Sequence, residues 1–328
     1  MADYGATSGS TKMAGGLRHR SDIPEGLWEP GILSSYRTPG ISARECLMSV
    51  FRLHNETLNF WTHAAALLFF LYYLHDTWQV YELWTRHTPL FCVIITSCIY
   101  LIGSIIAHTF GCISECSNHV CFMIDYYGIS LYAFGATLGN KAYAFPAAWR
   151  GGVWDQIFIP LNVLMCILAV TFSCNSRFRK FDIMTKVQRL FAFCLPYVTS
   201  MSPCFYRAVT ALESDDAAYY YWCHFQTAAV TAVVFVAHYP EVLMPGYFDV
   251  YLHSHQIFHV LVSLGTYYKI SGLVKDLHAE NAQQYDASIN AQSLWLLLAV
   301  AIINGSIVGY KIYRMVQMHN PKKDDHQK

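Results

Sequence analysis

Long apolar stretches constrain this chain more than any other feature of its sequence. Eight stretches of predominantly apolar residues are each long enough to cross a lipid bilayer as a helix, which takes about 20 residues. They occupy residues 60–82, 89–110, 121–143, 153–173, 189–210, 219–243, 254–274 and 292–314. Only 13% of the residues are charged, against 54% that are hydrophobic. The sequence therefore predicts an all-α, polytopic membrane protein, built as one domain with eight spans.

The fifth stretch is the least regular of the eight. It contains Pro196, Pro203 and Arg207, so it fits either a kinked span or a segment that enters the membrane and returns. The assignment of loops to the two sides of the membrane assumes that this stretch crosses.

The distribution of Lys and Arg predicts the orientation. Sixteen of the 22 basic residues fall in the N-terminal tail, the loop after the fourth stretch and the C-terminal tail. With eight spans these three regions share one side, which the positive-inside rule identifies as the cytosol. For the same reason, the glycosylation motif Asn55-Glu56-Thr57 is expected to stay unmodified.

The ends of the chain and its charge add further expectations. The first 50 residues are polar and lack the apolar core of a cleavable signal peptide. The formal net charge is zero, so nothing favours a nucleic acid partner. Cys112, Cys116 and Cys121 cluster near the second loop, and free thiols are favoured there over a metal or disulfide role.

The chain divides into four segments. We expect a disordered cytosolic tail at 1–22, an interfacial cytosolic segment at 23–56, a seven-span core at 57–275, and a loop, eighth span and basic cytosolic tail at 276–328. Helical spacing from Ile41 to Leu53 predicts an amphipathic helix at the membrane interface.

Polar residues run directly into the first span. Glu56 and His63 are unusual at such depth, and ionisable groups inside a membrane are candidates for function. A structural cap that ties the interfacial helix to the bundle is at least as good an explanation, and for Glu56 both interpretations stay open. Structural roles are favoured for His63 and for three further residues, namely His238, Glu241 and Asp249.

Several metal-competent or acid/base-competent side chains lie at the ends of predicted spans. His108 ends the second span, Asp125 begins the third, and His255 and His259 begin the seventh. His255 and His259 are four residues apart, so a helix places them on one face, where two imidazoles can share a zinc ion. A chain that weaves back and forth brings all these ends to the cytosolic face. His253 lies on a different helical face and is interpreted as an interfacial residue.

Four stretches resemble the signatures of the progestin and adiponectin receptor family. They are Phe51 to His63, Ser104 to Phe110, Asp125 to Gly128, and Pro240 to His259. The resemblance runs from Trp28 to about Val274. The eighth span and two tetrapeptides are more similar to the membrane progestin receptor branch than to the adiponectin receptors. Those tetrapeptides are Ala107-His108-Thr109-Phe110 and Tyr143-Ala144-Phe145-Pro146.

The resemblance implies a fold and a metal site. The fold is a seven-helix core of the adiponectin-receptor type with an eighth, C-terminal transmembrane helix, and one zinc ion is held by His108, His255 and His259. Three neutral imidazoles leave a fourth tetrahedral position for water. Ser104 and Asp125 could hydrogen-bond that water, and Asp125 could accept its proton, because zinc in open sites lowers the pKa of water to about 7.

Two classes of function follow, and the sequence leaves the choice between them open. The first is a plasma-membrane receptor that binds a progestin-like steroid or related lipid and signals to a G protein or another cytosolic effector. The second is a zinc-dependent hydrolase of a lipid amide, similar to ceramidases, with Asp125 as the base. A third possibility is a scaffold whose histidines only tie helices together.

Overall fold

Helices account for the regular structure of this protein. The computed structural model describes residues 16–179, 183–210, 215–278 and 288–319, and within these ranges the chain forms no β-strand. One short helix, α1 (Ala43–Ser49), precedes eight long ones: α2 (Thr57–Val80), α3 (Thr88–Phe110), α4 (Glu115–Gly139), α5 (Val153–Ser176), α6 (Ile183–Thr210), α7 (Asp216–Ala237), α8 (Ser254–His278) and α9 (Ser288–His319). The predicted all-α class is confirmed.

Each predicted span corresponds to one of the long helices, α2 to α9. In the described part of the chain, four helices are long and apolar enough to cross a membrane by length and composition alone: α3, α5, α8 and α9. The chain is therefore a polytopic helical membrane protein.

The fifth predicted span forms a single helix despite its prolines. Pro196 and Pro203 both lie inside α6, which has 28 residues. At 1.5 Å per residue it is about 42 Å long, which exceeds the roughly 30 Å hydrocarbon core of a bilayer. This length fits a crossing helix better than a segment that turns back.

The sixth span ends earlier than predicted. The apolar pattern extends to residue 243, but α7 stops at Ala237. His238 adopts a left-handed conformation with φ of 52°, and Pro240 follows two residues later. A left-handed residue commonly ends a helix, and proline cannot continue one. Residues 239–253 therefore form a loop that leads into α8.

The seven helices α2 to α8 form a closed bundle. Consecutive helices pack against each other, and α8 returns to pack against α2. Helix α9 lies outside this ring against α3, α4 and α5, and it is less buried than α3, α5 or α8. The arrangement matches the predicted seven-helix core with one additional C-terminal helix.

Glycines allow α3 and α4 to approach closely. A Cβ atom at Gly128 would lie 2.7 Å from the Cα of Tyr100, and one at Gly103 would lie 3.1 Å from the Cα of Asp125. Small residues at such contacts are typical of helix pairs in membranes. This contact fixes the positions of His108 on α3 and Asp125 on α4 relative to each other.

The N-terminal segment, residues 16–42, lies across the end of the bundle where α3 ends and α8 begins. Asp249 accepts hydrogen bonds from the backbone N–H groups of Leu33 (3.0 Å) and Ser34 (2.7 Å). Arg18 pairs with Tyr36 through backbone hydrogen bonds, although the sequence assigns Arg18 to the disordered tail. Residues 1–15 of that tail lie outside the described residues.

The predicted interfacial helix is α1, shorter than the pattern from Ile41 to Leu53 suggests. Ser42 and Glu45 form a capping box at its start. Cys46 is fully buried, whereas Leu47 and Met48 are more than half exposed. The helix is therefore amphipathic in the sense that its sequence predicts.

A buried polar cluster holds the opposite end of the bundle together. Lys269 on α8 is fully buried, and its ammonium contacts Asn140 and, at 3.2 Å, the thiol of Cys204. Nearby, Arg207 at the end of α6 pairs with Asp276 at 2.6 Å. Buried charges require such partners, so this cluster restrains α4, α6 and α8 relative to each other.

Candidate metal centre

Three histidines from two helices meet at one end of the bundle. His108 lies in the last turn of α3, and His255 and His259 lie in the first two turns of α8. One ligand atom from each lies within 4.8 Å of the others. The sequence predicts this meeting from the order of the spans, and the structure brings all three residues together.

The distances between the rings fit a shared metal ion. The Nε2 atoms of His108 and His255 are 3.2 Å apart. Two nitrogens bound at about 2.0–2.1 Å to one tetrahedral ion would be roughly 3.4 Å apart. Ring centroids are separated by 4.6 Å for His255 and His259 and by 4.8 Å for His108 and His259. The three imidazoles form a compact set of neutral nitrogen donors, which suits zinc.

Hydrogen bonds on the far side of two rings direct their free nitrogens toward the cluster. His108 Nδ1 donates to Glu56 Oε2 at 2.6 Å, and His259 Nδ1 donates to the carbonyl oxygen of Asn59 at 3.0 Å. Carboxylates and carbonyls in this position are typical of metal-binding histidines, because they fix the tautomer and the ring orientation. The donor set therefore fits a metal ion.

The structure gives Glu56 two specific partners, His108 and Asn59, which its position in the sequence does not indicate. Its carboxylate also accepts a hydrogen bond from the Asn59 amide at 2.6 Å. Burial raises the pKa of the Glu56 carboxyl, but the interactions with His108 and Asn59 outweigh burial and hold that pKa well below its usual range. Glu56 is thus an anionic acceptor in contact with His108. The sequence leaves it open between a functional residue and a structural cap.

His63 lies against the same cluster. Its ring stacks on that of His259 with centroids 3.6 Å apart, and the residue is only 3% exposed. It packs beside the three histidines but does not belong to the group whose ligand atoms converge.

Arg37 holds the end of α3. Its guanidinium donates to the carbonyl oxygens of His108 (2.6 Å) and Thr109 (2.8 Å), which have no partners within the helix. A cation at a helix C-terminus is also favoured by the helix dipole. Arg37 lies 71 residues before His108, so no local pattern in the sequence indicates this contact.

The two predicted catalytic residues lie close to the cluster but outside it. Ser104 is buried one turn before His108 on α3, and Asp125 lies on α4 beside Gly103. In the described ranges, neither side chain hydrogen-bonds one of the three histidines. Their catalytic roles stay predictions.

The loop before α8 holds the first turn of that helix, which carries His255. Glu241 accepts a hydrogen bond from the backbone N–H of Ser254 at 2.7 Å and another from its hydroxyl. His253 is 5% exposed, and its Nε2 donates to the carbonyl oxygen of Asn55 at 3.1 Å. His253 therefore ties α8 to the turn before α2, and it lies outside the histidine cluster as expected.

A small cavity of about 30 Å³ borders the cluster beneath the N-terminal segment. It is lined by Tyr36, Arg37, Glu56, His108 and Phe122, among others. A cavity needs roughly 10–15 Å³ of accessible volume to hold a water molecule, so this one provides room for water next to His108 and Glu56.

The chain is similar over most of its length to one family and to several of its curated members. Residues 51–270 match the family described as haemolysin-III related. The chain is 32% identical over 327 residues to membrane progestin receptor gamma-B of Danio rerio, covering 92% of this chain and 94% of that protein. It is 35% identical over 275 residues to membrane progestin receptor delta of Homo sapiens, covering 79% of this chain and 78% of that protein. It is also 30% identical over 266 residues to membrane progestin receptor alpha of Sus scrofa, covering 79% and 76%.

Proposed function

This chain belongs to the haemolysin-III-related family, in its progestin and adiponectin receptor group, and on that premise we propose that it is a membrane receptor for a progestin-like steroid or related lipid. The names of its relatives support a receptor in a membrane. The observation that carries the proposal further is the cluster of His108, His255 and His259, which places a metal-competent site at one end of a seven-helix bundle.

In this proposal the cluster holds one zinc ion. Glu56 and the carbonyl oxygen of Asn59 keep a proton on Nδ1 of His108 and His259, so that the opposite nitrogens stay free to bind the ion. Bound zinc would supply a Lewis acid and would join α3 to α8. In a receptor, that connection restrains the two helices relative to each other.

Steroid binding by the purified full-length chain tests the receptor function. We expect saturable binding of a labelled progestin, and weaker binding after a His255→Ala, His259→Ala double substitution that removes two ligands. A His253→Ala variant is the matched control, since His253 is a neighbouring buried histidine outside the cluster. Absence of saturable binding to the unmodified chain would contradict the receptor function.

The orientation and the effector belong to the same proposal. Both termini are placed in the cytosol and the protein in the plasma membrane, so the end that carries α1 and the histidines would meet a G protein or another cytosolic effector. Tags added at either terminus should be reached by antibody only after cells are permeabilised. Labelling of intact cells would show that the tagged terminus is extracellular, and it would contradict this orientation.

A lipid amide hydrolase is the second candidate, because three imidazole ligands leave one coordination position open. Asp125 would accept a proton at a carboxylate oxygen, and the Ser104 hydroxyl would position the reacting group. Incubation with a panel of ceramides should then release free fatty acid, and Asp125→Asn should abolish that release. Full activity of the Asp125→Asn variant would contradict the assignment of Asp125 as the base.

A further inference from the structure

Two buried polar atoms in the middle of the bundle have no hydrogen-bond partner among the described residues, namely Nε2 of His224 and the hydroxyl oxygen of Tyr197. The first belongs to His224 on α7, a residue that is only 7% exposed. Its Nδ1 lies 2.9 Å from the carbonyl oxygen of Gly265 on α8. A carbonyl only accepts hydrogen bonds, so Nδ1 carries the proton and the Nε2 atom of the neutral ring is an acceptor. That Nε2 is the unpaired atom.

The second group is Tyr197 on α6, whose hydroxyl is also buried and unpaired in the described ranges. Its ring centroid is 5.7 Å from that of His224. Phe225 packs beside both rings, with centroids 6.4 Å from Tyr197 and 5.8 Å from His224. An unpaired donor and an unpaired acceptor therefore lie together against an aromatic wall.

Unpaired polar groups are costly inside a membrane. No bulk water is present in the hydrocarbon region to satisfy them, and each buried group without a partner costs about 1–3 kcal/mol. A pair of neighbouring orphan groups in one bundle therefore requires an explanation, such as a bound molecule that satisfies them.

The chemistry of the pair selects the group that it would bind. A hydroxyl can donate to His224 Nε2 and accept from the Tyr197 hydroxyl at the same time. A ketone oxygen only accepts, so it would pair with Tyr197 and leave His224 Nε2 unsatisfied. A carboxylate likewise only accepts and an ammonium only donates, so neither would satisfy both groups. The pair thus matches one neutral hydroxyl.

We propose that His224 and Tyr197 form a subsite that binds the hydroxyl group of a neutral lipid, such as a hydroxylated steroid, in the middle of the bundle. This assignment rests on the proposed receptor function and names the part of the ligand that the bundle recognises.

The pair lies less than two helical turns from the histidine cluster along α8. Gly265 follows His259 by six residues on α8, which is about 9 Å along the helix axis. Polar side chains lie between the histidine cluster and the His224–Tyr197 pair. His63 stacks on His259, the Tyr100 ring lies 6.0 Å from that of His63, and the Tyr100 hydroxyl is 3.2 Å from Thr266 Oγ1. The subsite is therefore deeper in the bundle than the histidine cluster.

Binding of a matched pair of steroids tests the subsite. The full-length chain in nanodiscs is titrated with a hydroxysteroid and with the ketone of the same ring skeleton. The unmodified chain should bind the hydroxysteroid about tenfold more tightly, which is the effect of one buried hydrogen bond. Tyr197→Phe and His224→Phe should each reduce that preference to less than about threefold.

Matched controls separate the subsite from general damage. Tyr127→Phe removes a tyrosine hydroxyl that instead donates to the carbonyl oxygen of Ala301 on α9, and it should keep the preference. His224→Gln retains an acceptor and should restore part of it. Because the unmodified chain itself must show the preference, the test remains decisive even if a variant fails to fold.

Two negative results have different meanings. If the unmodified chain binds both steroids equally, or if both Phe variants keep its preference for the hydroxysteroid, the assignment of His224 and Tyr197 is wrong and the pair holds only water. If the unmodified chain binds neither steroid, the receptor function itself is refuted, and the subsite with it.

Discussion

Replacing Glu56 by alanine should weaken zinc binding, because its carboxylate is the acceptor for the Nδ1 proton of His108. The contact is short, at 2.6 Å, and the Glu56 side chain is only 18% exposed, so water cannot fully replace it. Without this acceptor the His108 ring can rotate, or can carry its proton on Nε2, where a proton blocks metal binding. Loss of such a partner costs about 10- to 100-fold in metal affinity, which is about 1.4–2.7 kcal/mol.

Competition between the purified protein and a chromophoric zinc chelator measures this change. Glu56→Gln should lose less than Glu56→Ala, since its amide oxygen can still accept from Nδ1 but carries no charge. Glu45→Ala is the control, because Glu45 is an exposed residue of the capping box at α1 and is remote from the histidine contacts. Zinc affinity of the Glu56→Ala variant equal to that of the unmodified chain would refute the assigned role of Glu56.

Three further substitutions test the packing around the centre. Gly128→Ala introduces a Cβ 2.7 Å from the backbone of α3, so it should lower the free energy of unfolding by about 1–3 kcal/mol. Its control is Gly309→Ala, which has open space around it and should change the free energy of unfolding by no more than about 0.5 kcal/mol. Lys269→Ala leaves buried Asn140 and Cys204 without their partner and should cost about 1–3 kcal/mol, whereas Lys275→Ala, whose side chain is 45% exposed, should have little effect. Arg37→Lys keeps the charge but cannot reach two carbonyl oxygens as the guanidinium does, so it should lower both the melting temperature and zinc content. A Gly128→Ala or Lys269→Ala protein as stable as its control, or an Arg37→Lys protein with full zinc content, would contradict these assignments.

Local patterns are sufficient to predict the helices and the three histidines. Apolar runs of bilayer length specify α2 to α9, and the four-residue spacing of His255 and His259 places them on one face of α8. His108 joins them because the alternation of spans brings the end of α3 and the start of α8 to the same side. These features depend only on residue spacing and on the order of the spans, so they follow from the amino-acid sequence alone.

Contacts between remote segments do not follow in this way. Arg37 reaches the end of α3 from a turn-rich segment that has no regular periodicity, and the partner of Glu56 is decided by how α2 packs against α3. The orphan atoms of His224 and Tyr197 follow from a hydrogen bond to α8 and from the packing of α6 against α7. Such roles depend on tertiary structure, so local sequence patterns do not predict them.

The end of the sixth span illustrates a different difficulty. Apolar residues continue beyond Ala237, so hydropathy alone extends the helix to residue 243. The backbone nevertheless turns at His238, where Pro240 prevents continuation, and the apolar residues that follow are exposed in a loop. Proline positions are therefore a better guide to this boundary than hydropathy.

X-ray absorption at the zinc edge of the purified, zinc-loaded protein tests the central claim most directly. The proposal predicts about one zinc ion per chain, with a first shell dominated by nitrogen at about 2.0–2.1 Å and multiple-scattering features of three imidazoles. Substitution of His108, His255 or His259 by alanine should lower the zinc content. A shell containing sulfur at about 2.3 Å would place the ion on cysteines instead, and either that result or a protein without bound zinc would contradict the proposed centre.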